Sequence, residues 1–172
     1  MFSIKFKHLR RHYRHLPAGF LLLSLSLPAA ALTDMQGKPK KFSDFIGKGQ
    51  WTVFEVWSSQ CPACPDAVFY MNNLKRRYNK AQLIGVSVNG DYGTDGPKLA
   101  KQFIKKHKIN FPNLYSSTEE VDEFLGDYSE VLFGTPSVLF FNPKGELRNI
   151  EVGAIISQDV IDFIEYEERI EQ

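Results

Sequence analysis

The most informative part of this sequence for its fold is Trp51-Thr-Val-Phe-Glu-Val-Trp57, followed directly by Ser-Ser-Gln-Cys61-Pro-Ala-Cys64-Pro65. Its first seven residues are mostly β-branched or aromatic, a composition typical of a buried strand. After the cysteines, a set of residues recurs at the spacing of one helix face: Ala67, Met71, Leu74 and Tyr78. Pro65 is compatible with this helix, because amides in the first turn have no internal partner. The sequence therefore predicts a strand, a turn carrying both cysteines, and a helix.

Strands and helices alternate along the rest of the chain. Apolar runs predict further strands at residues 82–88, 137–141 and 146–152, the last two joined by a turn. Helix-start signals are found at Asp95, at the capping-box pattern Ser117-Thr-Glu-Glu120, and at Ser157. Residues 32–50 are expected to be an entry segment with turns. This order predicts an α/β fold with a central mixed β-sheet flanked by helices.

The first 31 residues have the composition of an export signal. They contain five basic residues and no acidic ones, and the apolar run at residues 20–27 precedes Ala29-Ala30-Ala31. Cleavage after Ala31 is therefore expected, giving a signal peptide at 1–31 and a domain at 32–172. The apolar run is shorter than the roughly 20 residues that span a bilayer, so an uncleaved inner-membrane anchor is the alternative. The expected location is the periplasm.

The charge of the chain restricts the partners that it is expected to bind. When the five basic residues of the first 31 are set aside, 16 basic residues stand against 20 acidic ones. A mildly acidic domain argues against a general nucleic-acid or anionic-membrane surface. The length of 172 residues fits one domain, and we expect a monomer.

The chain contains two cysteines, Cys61 and Cys64, and their place at a predicted helix start favours redox chemistry. The free amides and partial positive charge of a helix N-terminus stabilise a thiolate. We expect Cys61 to be the exposed nucleophile. Cys64, one turn later, is expected to be the more buried thiol that resolves a mixed disulfide. The pair is thus a candidate redox-active disulfide.

Three other uses of the two sulfurs are weighed against this one. A purely structural disulfide would close a very short loop, and the entropic benefit of a cross-link falls with loop length. Zinc needs about four ligands, whereas the chain after cleavage keeps a single histidine, His107. Copper(I) can be held by two thiolates, although no methionine or histidine cluster supports such a site. We therefore predict neither a metal site nor a cofactor.

The motif Trp57-Ser-Ser-Gln-Cys61-Pro-Ala-Cys64 resembles the W-x-x-x-C-x-x-C active site of the thioredoxin-like superfamily. Other segments resemble its TlpA/ResA-like branch of exported thiol–disulfide oxidoreductases: residues 34–38, 42–48, 84–88, 134–136 and 142–145. The resemblance covers roughly residues 33–165 and implies a thioredoxin-like fold. Because one fold can serve many functions, the predicted function rests on the cysteine site and not on the fold.

The resemblance implies a substrate-binding role for three residues. Pro136 matches the cis-proline that faces the active-site cysteines in this fold, a rare peptide geometry. The backbone of Thr135 would pair with an extended substrate segment beside Cys61. Trp57 matches an aromatic residue near the active site, which either shapes the substrate groove or packs in the core.

The resemblance also implies a catalytic role for Glu55, which matches the buried acidic residue behind the cysteines of thioredoxins. A carboxyl group in an apolar strand should have a raised pKa. It would then accept the proton of Cys64 when that thiol attacks the mixed disulfide. The alternative is a solvated charge near the end of a strand.

The direction of electron flow is less constrained by the sequence. The pair Pro62-Ala63 differs from the usual Gly-Pro of thioredoxins, and Asp66 lies near, but not at, an acidic position of ResA-like proteins. The resemblance implies reduction of exported proteins, such as apocytochrome c, with electrons from a membrane thiol–disulfide donor. A disulfide-forming oxidase, a copper(I) chaperone and a non-enzymatic docking module remain alternatives.

Overall fold

Seven strands form one mixed sheet in the computed structural model, which describes residues 32–171. They are β1 (Leu32–Asp34), β2 (Pro39–Lys40), β3 (Trp51–Trp57), β4 (Ala81–Ser87), β5 (Asn113–Tyr115), β6 (Ser137–Phe141) and β7 (Leu147–Val152). Their order is β2-β1-β5-β4-β3-β6-β7. Strands β3, β4 and β5 are parallel, and the other neighbouring pairs are antiparallel. The prediction of a central mixed sheet in an α/β fold is confirmed.

Four α-helices cover the two faces of the sheet in this part of the chain. They are α1 (Cys64–Arg77), α2 (Gly96–Lys106), α3 (Thr118–Gly126) and α4 (Ser157–Ile170). Helices α1 and α4 share a core cluster with Val53, and α1 and α2 share another with Trp57. Helix α3 packs on the opposite face against Phe54 and Val56. Because strand residues alternate between faces, Glu55 lies on the face covered by α1.

The predicted helix starts at Asp95 and Ser117 are confirmed as the N-cap positions of α2 and α3, whereas α4 begins at Ser157 itself. Ser117 Oγ accepts from the Glu120 amide at 3.2 Å, and Glu120 Oε2 accepts from the Ser117 amide at 2.8 Å. Asp95 precedes α2, but its side chain makes no capping hydrogen bond. Ser157 is the first residue of α4 rather than its cap, and its hydroxyl donates to the Tyr70 carbonyl at 2.6 Å. The Ser157 hydroxyl, which the sequence predicts to cap α4, instead joins α4 to α1.

The entry segment contains more regular structure than its turns predict. Strands β1 and β2 form a short antiparallel pair, and β1 also pairs with β5. Neither β5 nor this pairing follows from the hydrophobic pattern, because strands of two or three residues are too short to show an alternation.

The export prediction concerns residues 1–31, which lie outside the described residues. Within residues 32–171, none of the helices combines the length and the apolar character needed to span a membrane.

Candidate functional site

The two cysteines form a disulfide where β3 leads into α1, with their Cα atoms 5.4 Å apart. Cys64 is the first residue of α1 and is fully buried, whereas Cys61 lies in the preceding turn and is partly exposed. The Cys64 amide donates to the Cys61 carbonyl at 3.3 Å, and the Cys61 amide donates to the Ser58 carbonyl at 3.3 Å. An incoming partner therefore meets the Cys61 sulfur first, as its predicted role as nucleophile requires.

Two residues in the first turn of α1 affect the electrostatic potential at the cysteines. Pro65 occupies this turn, as the sequence predicts, and contributes no amide hydrogen. Asp66 adds an exposed negative charge in the same turn. Both features reduce the positive potential that a helix N-terminus presents to a nearby thiolate. The thiolate form of Cys61 is therefore stabilised less than it would be without Pro65 and Asp66 in this turn.

The loop before β6 lies directly against the disulfide. The Thr135–Pro136 peptide bond is cis, which confirms the geometry implied by the resemblance. The Thr135 carbonyl oxygen lies 3.2 Å from Cys61 Sγ, within reach of a hydrogen bond from the thiol in the reduced protein. Pro136 is buried and Thr135 is half-buried. The position of Thr135 beside the reactive sulfur is consistent with its predicted contact to substrate.

A groove of about 350 Å³ opens beside Cys61. Its lining includes Asp91 and Tyr92, then Thr118 at the start of α3, and Leu132, Gly134 and Thr135 from the segment before β6. The Tyr92 hydroxyl lies 2.9 Å from Ser58 Oγ. The Asp91 carboxylate accepts from the Thr118 amide at 2.8 Å and from its hydroxyl at 2.5 Å. The Tyr92 contact holds the segment at residues 89–95 against the turn before Cys61, and the Asp91 contacts join the same segment to the start of α3.

Glu55 lies in the middle of β3 with its carboxyl group fully buried. Neither carboxyl oxygen has a hydrogen-bond partner among the described residues. Its neighbours on the adjacent strands, Gly85 and Val138, supply no polar side chain. Burial raises the pKa of Glu55 well above its ordinary value, because the charged form loses its hydration. The predicted burial is confirmed, and the alternative of a solvated charge is wrong.

Trp57 packs in the same core cluster as Cys64 and is fully buried. Its Nε1 donates to Asn113 Oδ1 at 3.0 Å, and its ring stacks on Phe103 with centroids 4.6 Å apart. The absence of a side chain at Gly85 leaves the space in which the Trp57 and Asn113 side chains meet. Of the two roles considered for Trp57, the structure supports packing in the core, since the buried ring offers no surface to a substrate.

Several residues of the site carry no recognisable signal in the sequence. Tyr92 meets Ser58 across 34 residues of chain, and Asn113 meets Trp57 across 56. Neither belongs to the motifs around the cysteines, and single tyrosine or asparagine residues in loops are too common to indicate a site. Only the folded chain brings Tyr92 into the groove with Cys61 and Asn113 against Trp57.

Comparison with known proteins gives the site a context. The sequence model of the AhpC/TSA family matches residues 24–150. Thiol-disulfide oxidoreductase ResA of Geobacillus kaustophilus is 27% identical over 139 residues, covering 80% of this chain and 74% of that protein. Sporulation thiol-disulfide oxidoreductase A of Bacillus subtilis is 24% identical over 118 residues, covering 69% of this chain and 68% of that protein.

The likeness extends to solved structures. The thioredoxin-related protein of Neisseria meningitidis serogroup B superposes on this chain with a TM-score of 0.65 and 15% sequence identity. The superposition covers 80% of this chain and 98% of that one. It confirms the thioredoxin-like fold that the motifs predict.

Proposed function

This chain belongs to the AhpC/TSA family and is a ResA-like thiol–disulfide oxidoreductase, and we propose that it reduces disulfide bonds in exported proteins. The observation that carries the proposal is the asymmetry of the disulfide. Cys61 is partly exposed in a groove, whereas Cys64 is buried behind it. One sulfur is thereby available to a protein partner, and the other is protected from it.

The reaction proceeds through a mixed disulfide. In the reduced protein, the Cys61 thiolate attacks one sulfur of the partner's disulfide, whose S–S bond breaks, and the departing sulfur takes up a proton. Cys64 then attacks Cys61 Sγ, so that the second partner sulfur leaves and is protonated as well. The partner gains two electrons and two protons, and the chain's dithiol becomes the Cys61–Cys64 disulfide.

Glu55 serves as the proton acceptor for Cys64 in this scheme. Both groups are buried on the α1 side of the sheet, where bulk water has no direct access. A carboxyl group with a raised pKa holds a proton with an affinity closer to that of a thiol, which favours transfer in either direction. The same carboxyl returns the proton when the disulfide is reduced again.

The first turn of α1 supports reduction as the direction of the reaction. Strong disulfide-forming proteins owe their oxidising potential to a reduced form with a highly stabilised thiolate. Here Pro65 removes an amide from the first turn and Asp66 adds a negative charge. Both changes destabilise the thiolate and shift the equilibrium toward donation of electrons.

The proposed location is the periplasm, reached through residues 1–31 with cleavage after Ala31. The basic segment, the apolar run and the three alanines support this proposal. A membrane thiol–disulfide donor would recharge the disulfide, and exported proteins such as apocytochrome c would be substrates. Amino-terminal sequencing of the exported protein tests the cleavage, and Leu32 is the first residue expected.

The reduction potential of the Cys61–Cys64 pair is the direct test of the proposed direction. We expect a value of roughly −250 mV or below, measured by equilibration with dithiothreitol or glutathione buffers. A value near about −120 mV would instead indicate a disulfide-forming oxidase. A pair that forms no reversible disulfide but binds copper(I) stoichiometrically would replace the proposal with a metal chaperone.

A further inference from the structure

The turn before Cys61 is held from the interior of the molecule by one buried side chain, that of Asn89. The turn runs from Ser58 to Cys61, whose amide donates to the Ser58 carbonyl at 3.3 Å. Asn89 Oδ1 accepts from the Ser59 amide at 3.0 Å, and Asn89 Nδ2 donates to Ser59 Oγ at 2.5 Å. The amide group of Asn89 therefore binds both the backbone amide and the hydroxyl of a residue in the middle of the turn.

Asn89 is itself fixed by the elements around it. It is fully buried two residues beyond the end of β4, and its Oδ1 also accepts from the Ser87 hydroxyl at 3.0 Å. The Val88 amide before it donates to the carbonyl of Trp57, the last residue of β3, at 2.9 Å. A Cβ atom at Gly96, where α2 begins, would collide with the Asn89 carbonyl oxygen, so this helix packs closely against it. Asn89 thus joins the cysteine turn to a rigid part of the fold.

The other side-chain contact of this turn lies closer to solvent. Ser58 Oγ is 2.9 Å from the Tyr92 hydroxyl and accepts from the Gln60 amide at 3.3 Å. Tyr92 is 39% exposed, so water can replace the partner of its hydroxyl, whereas Asn89 has no exposed surface. The loss of a hydrogen bond costs more when it leaves a buried group unpaired than when water takes the place of the partner. Asn89 is therefore the stronger constraint on the position of the turn.

The position of Cys61 affects how fast the mixed disulfide is resolved. In this step the Cys64 sulfur attacks Cys61 Sγ, the bond between Cys61 and the partner breaks, and the partner sulfur leaves and takes up a proton. Cys64 is fully buried at the start of α1, so it has little freedom to follow a displaced Cys61. A misplacement of about 1 Å from a reactive geometry can slow a reaction by about 10²-fold. The turn that carries Cys61 must therefore keep its sulfur close to that of Cys64.

We propose that Asn89 is a positioning residue of the redox site, which holds the Ser58–Cys61 turn so that Cys64 can displace the partner from Cys61. The first attack of Cys61 on the partner depends less on Asn89, because a separate molecule can adjust its approach to the sulfur. The same constraint favours the disulfide over the dithiol, since it keeps the two sulfurs together in the reduced protein. This inference rests on the proposed function and assigns a further residue to its resolving step.

Asn89→Ala in the full chain tests the inference in a single turnover with a peptide disulfide. Release of the reduced peptide from the Cys61 adduct should slow about tenfold, because the sulfur is less well placed for the attack of Cys64. That factor should be the same at every pH, because Asn89 carries no titratable group. Formation of the adduct, measured with Asn89→Ala in the Cys64→Ser background, should stay close to that of Cys64→Ser alone. The equilibrium with dithiothreitol should shift about tenfold toward the dithiol, which corresponds to about 30 mV toward less negative potentials.

Asn142→Ala is the matched control for the loss of a buried amide. Asn142 is also fully buried, and its Oδ1 accepts from the amides of Lys144 at 3.1 Å and Glu146 at 2.9 Å. It follows β6, which runs antiparallel to β3, so it lies near the start of β3, whereas the cysteines follow the end of that strand. This variant should lower the free energy of unfolding to a similar extent, yet leave the release rate and the equilibrium with dithiothreitol unchanged.

Ser59→Ala provides a second, milder variant, because it removes the hydroxyl that Asn89 Nδ2 binds and keeps the backbone contact to Asn89 Oδ1. It should slow release by a smaller factor, and it decides the inference should Asn89→Ala fail to fold. Unchanged release in Ser59→Ala, with release in Asn89→Ala unchanged or not measurable, would overturn the inference. Equal slowing in Asn142→Ala, or equal slowing of adduct formation, would overturn it as well. Failure of the unaltered protein to reduce the peptide or the small neutral bis(2-hydroxyethyl) disulfide would instead overturn the proposed function.

Discussion

Cys61→Ser should abolish disulfide reduction, with a loss in rate of about 10³-fold or more, because a serine hydroxyl at neutral pH does not replace a thiolate nucleophile. Cys64→Ser should behave differently. Cys61 can still attack the partner, but no second sulfur resolves the product, so a one-to-one mixed disulfide should accumulate. Mass spectrometry of the protein after incubation with a peptide disulfide distinguishes the two variants.

The same pair of variants tests the assignment of roles. If Cys61→Ser accumulates the adduct and Cys64→Ser does not, the exposed and buried sulfurs have the opposite functions. A double variant, Cys61→Ser with Cys64→Ser, serves as the control for chemistry. Full biological function in that double variant would assign the chain to docking of partners without redox chemistry.

Glu55→Gln should slow the resolution of the mixed disulfide by about 10²-fold, the scale of contribution of a positioned proton acceptor. The measurement is the single-turnover release of a reduced peptide from the Cys61 adduct at several pH values. Glu123→Gln, an exposed carboxylate on α3, is the control and should leave this rate unchanged. An unaltered rate in Glu55→Gln would remove Glu55 from the path of the proton.

The buried carboxyl group of Glu55 should also make the stability of the unaltered protein depend on pH. The unfolded chain loses the Glu55 proton near the ordinary value of 4.5, whereas the folded protein retains it to higher pH. Between these two pKa values the folded state binds more protons than the unfolded state. The free energy of unfolding should therefore fall as the pH rises from about 4.5 through the raised pKa of the folded protein. Over that interval the expected fall is about 1.4 kcal/mol for each pH unit that separates the folded and unfolded pKa values.

Glu55→Gln should therefore lose this pH dependence, and its stability relative to the parent should increase with pH before it levels off. Urea unfolding at a series of pH values measures the difference. Parallel pH profiles for the parent and Glu55→Gln would show that the carboxyl group is not the source of the slope. A variant that is slower in the reaction and relatively more stable at high pH is what an unpaired buried proton carrier requires.

The central strands follow from the sequence because burial on both faces requires long apolar runs. The pattern gives β3 and β6 with the observed bounds and β4 within one residue. Strand β5 has only three residues, and its place next to β4 is set by parallel pairing with a distant part of the chain. No local pattern contains that information.

The residues of the site also differ in how far the sequence identifies them. The cysteines, Glu55 and Pro136 are identifiable because they lie within recognisable motifs or apolar strands. The hydrophobic pattern alone does not decide between a buried and a substrate-facing Trp57, because an aromatic residue suits both positions. Its burial depends on Phe103 and Asn113, which α2 and β5 bring to it. The groove residues Tyr92 and Thr118 are brought to the site only by the packing of separate segments.

The start of β1 bears on the timing of the proposed maturation during export. Leu32 is buried and pairs with Lys40 in the sheet. A peptidase needs an accessible, extended backbone on both sides of the bond that it cleaves. In the proposed export, cleavage between Ala31 and Leu32 would therefore come before β1 pairs with β2 and β5, or after that pairing opens. Signal-peptide cleavage and the pairing of β1 would thus compete in time. A domain that folds before cleavage would retain residues 1–31.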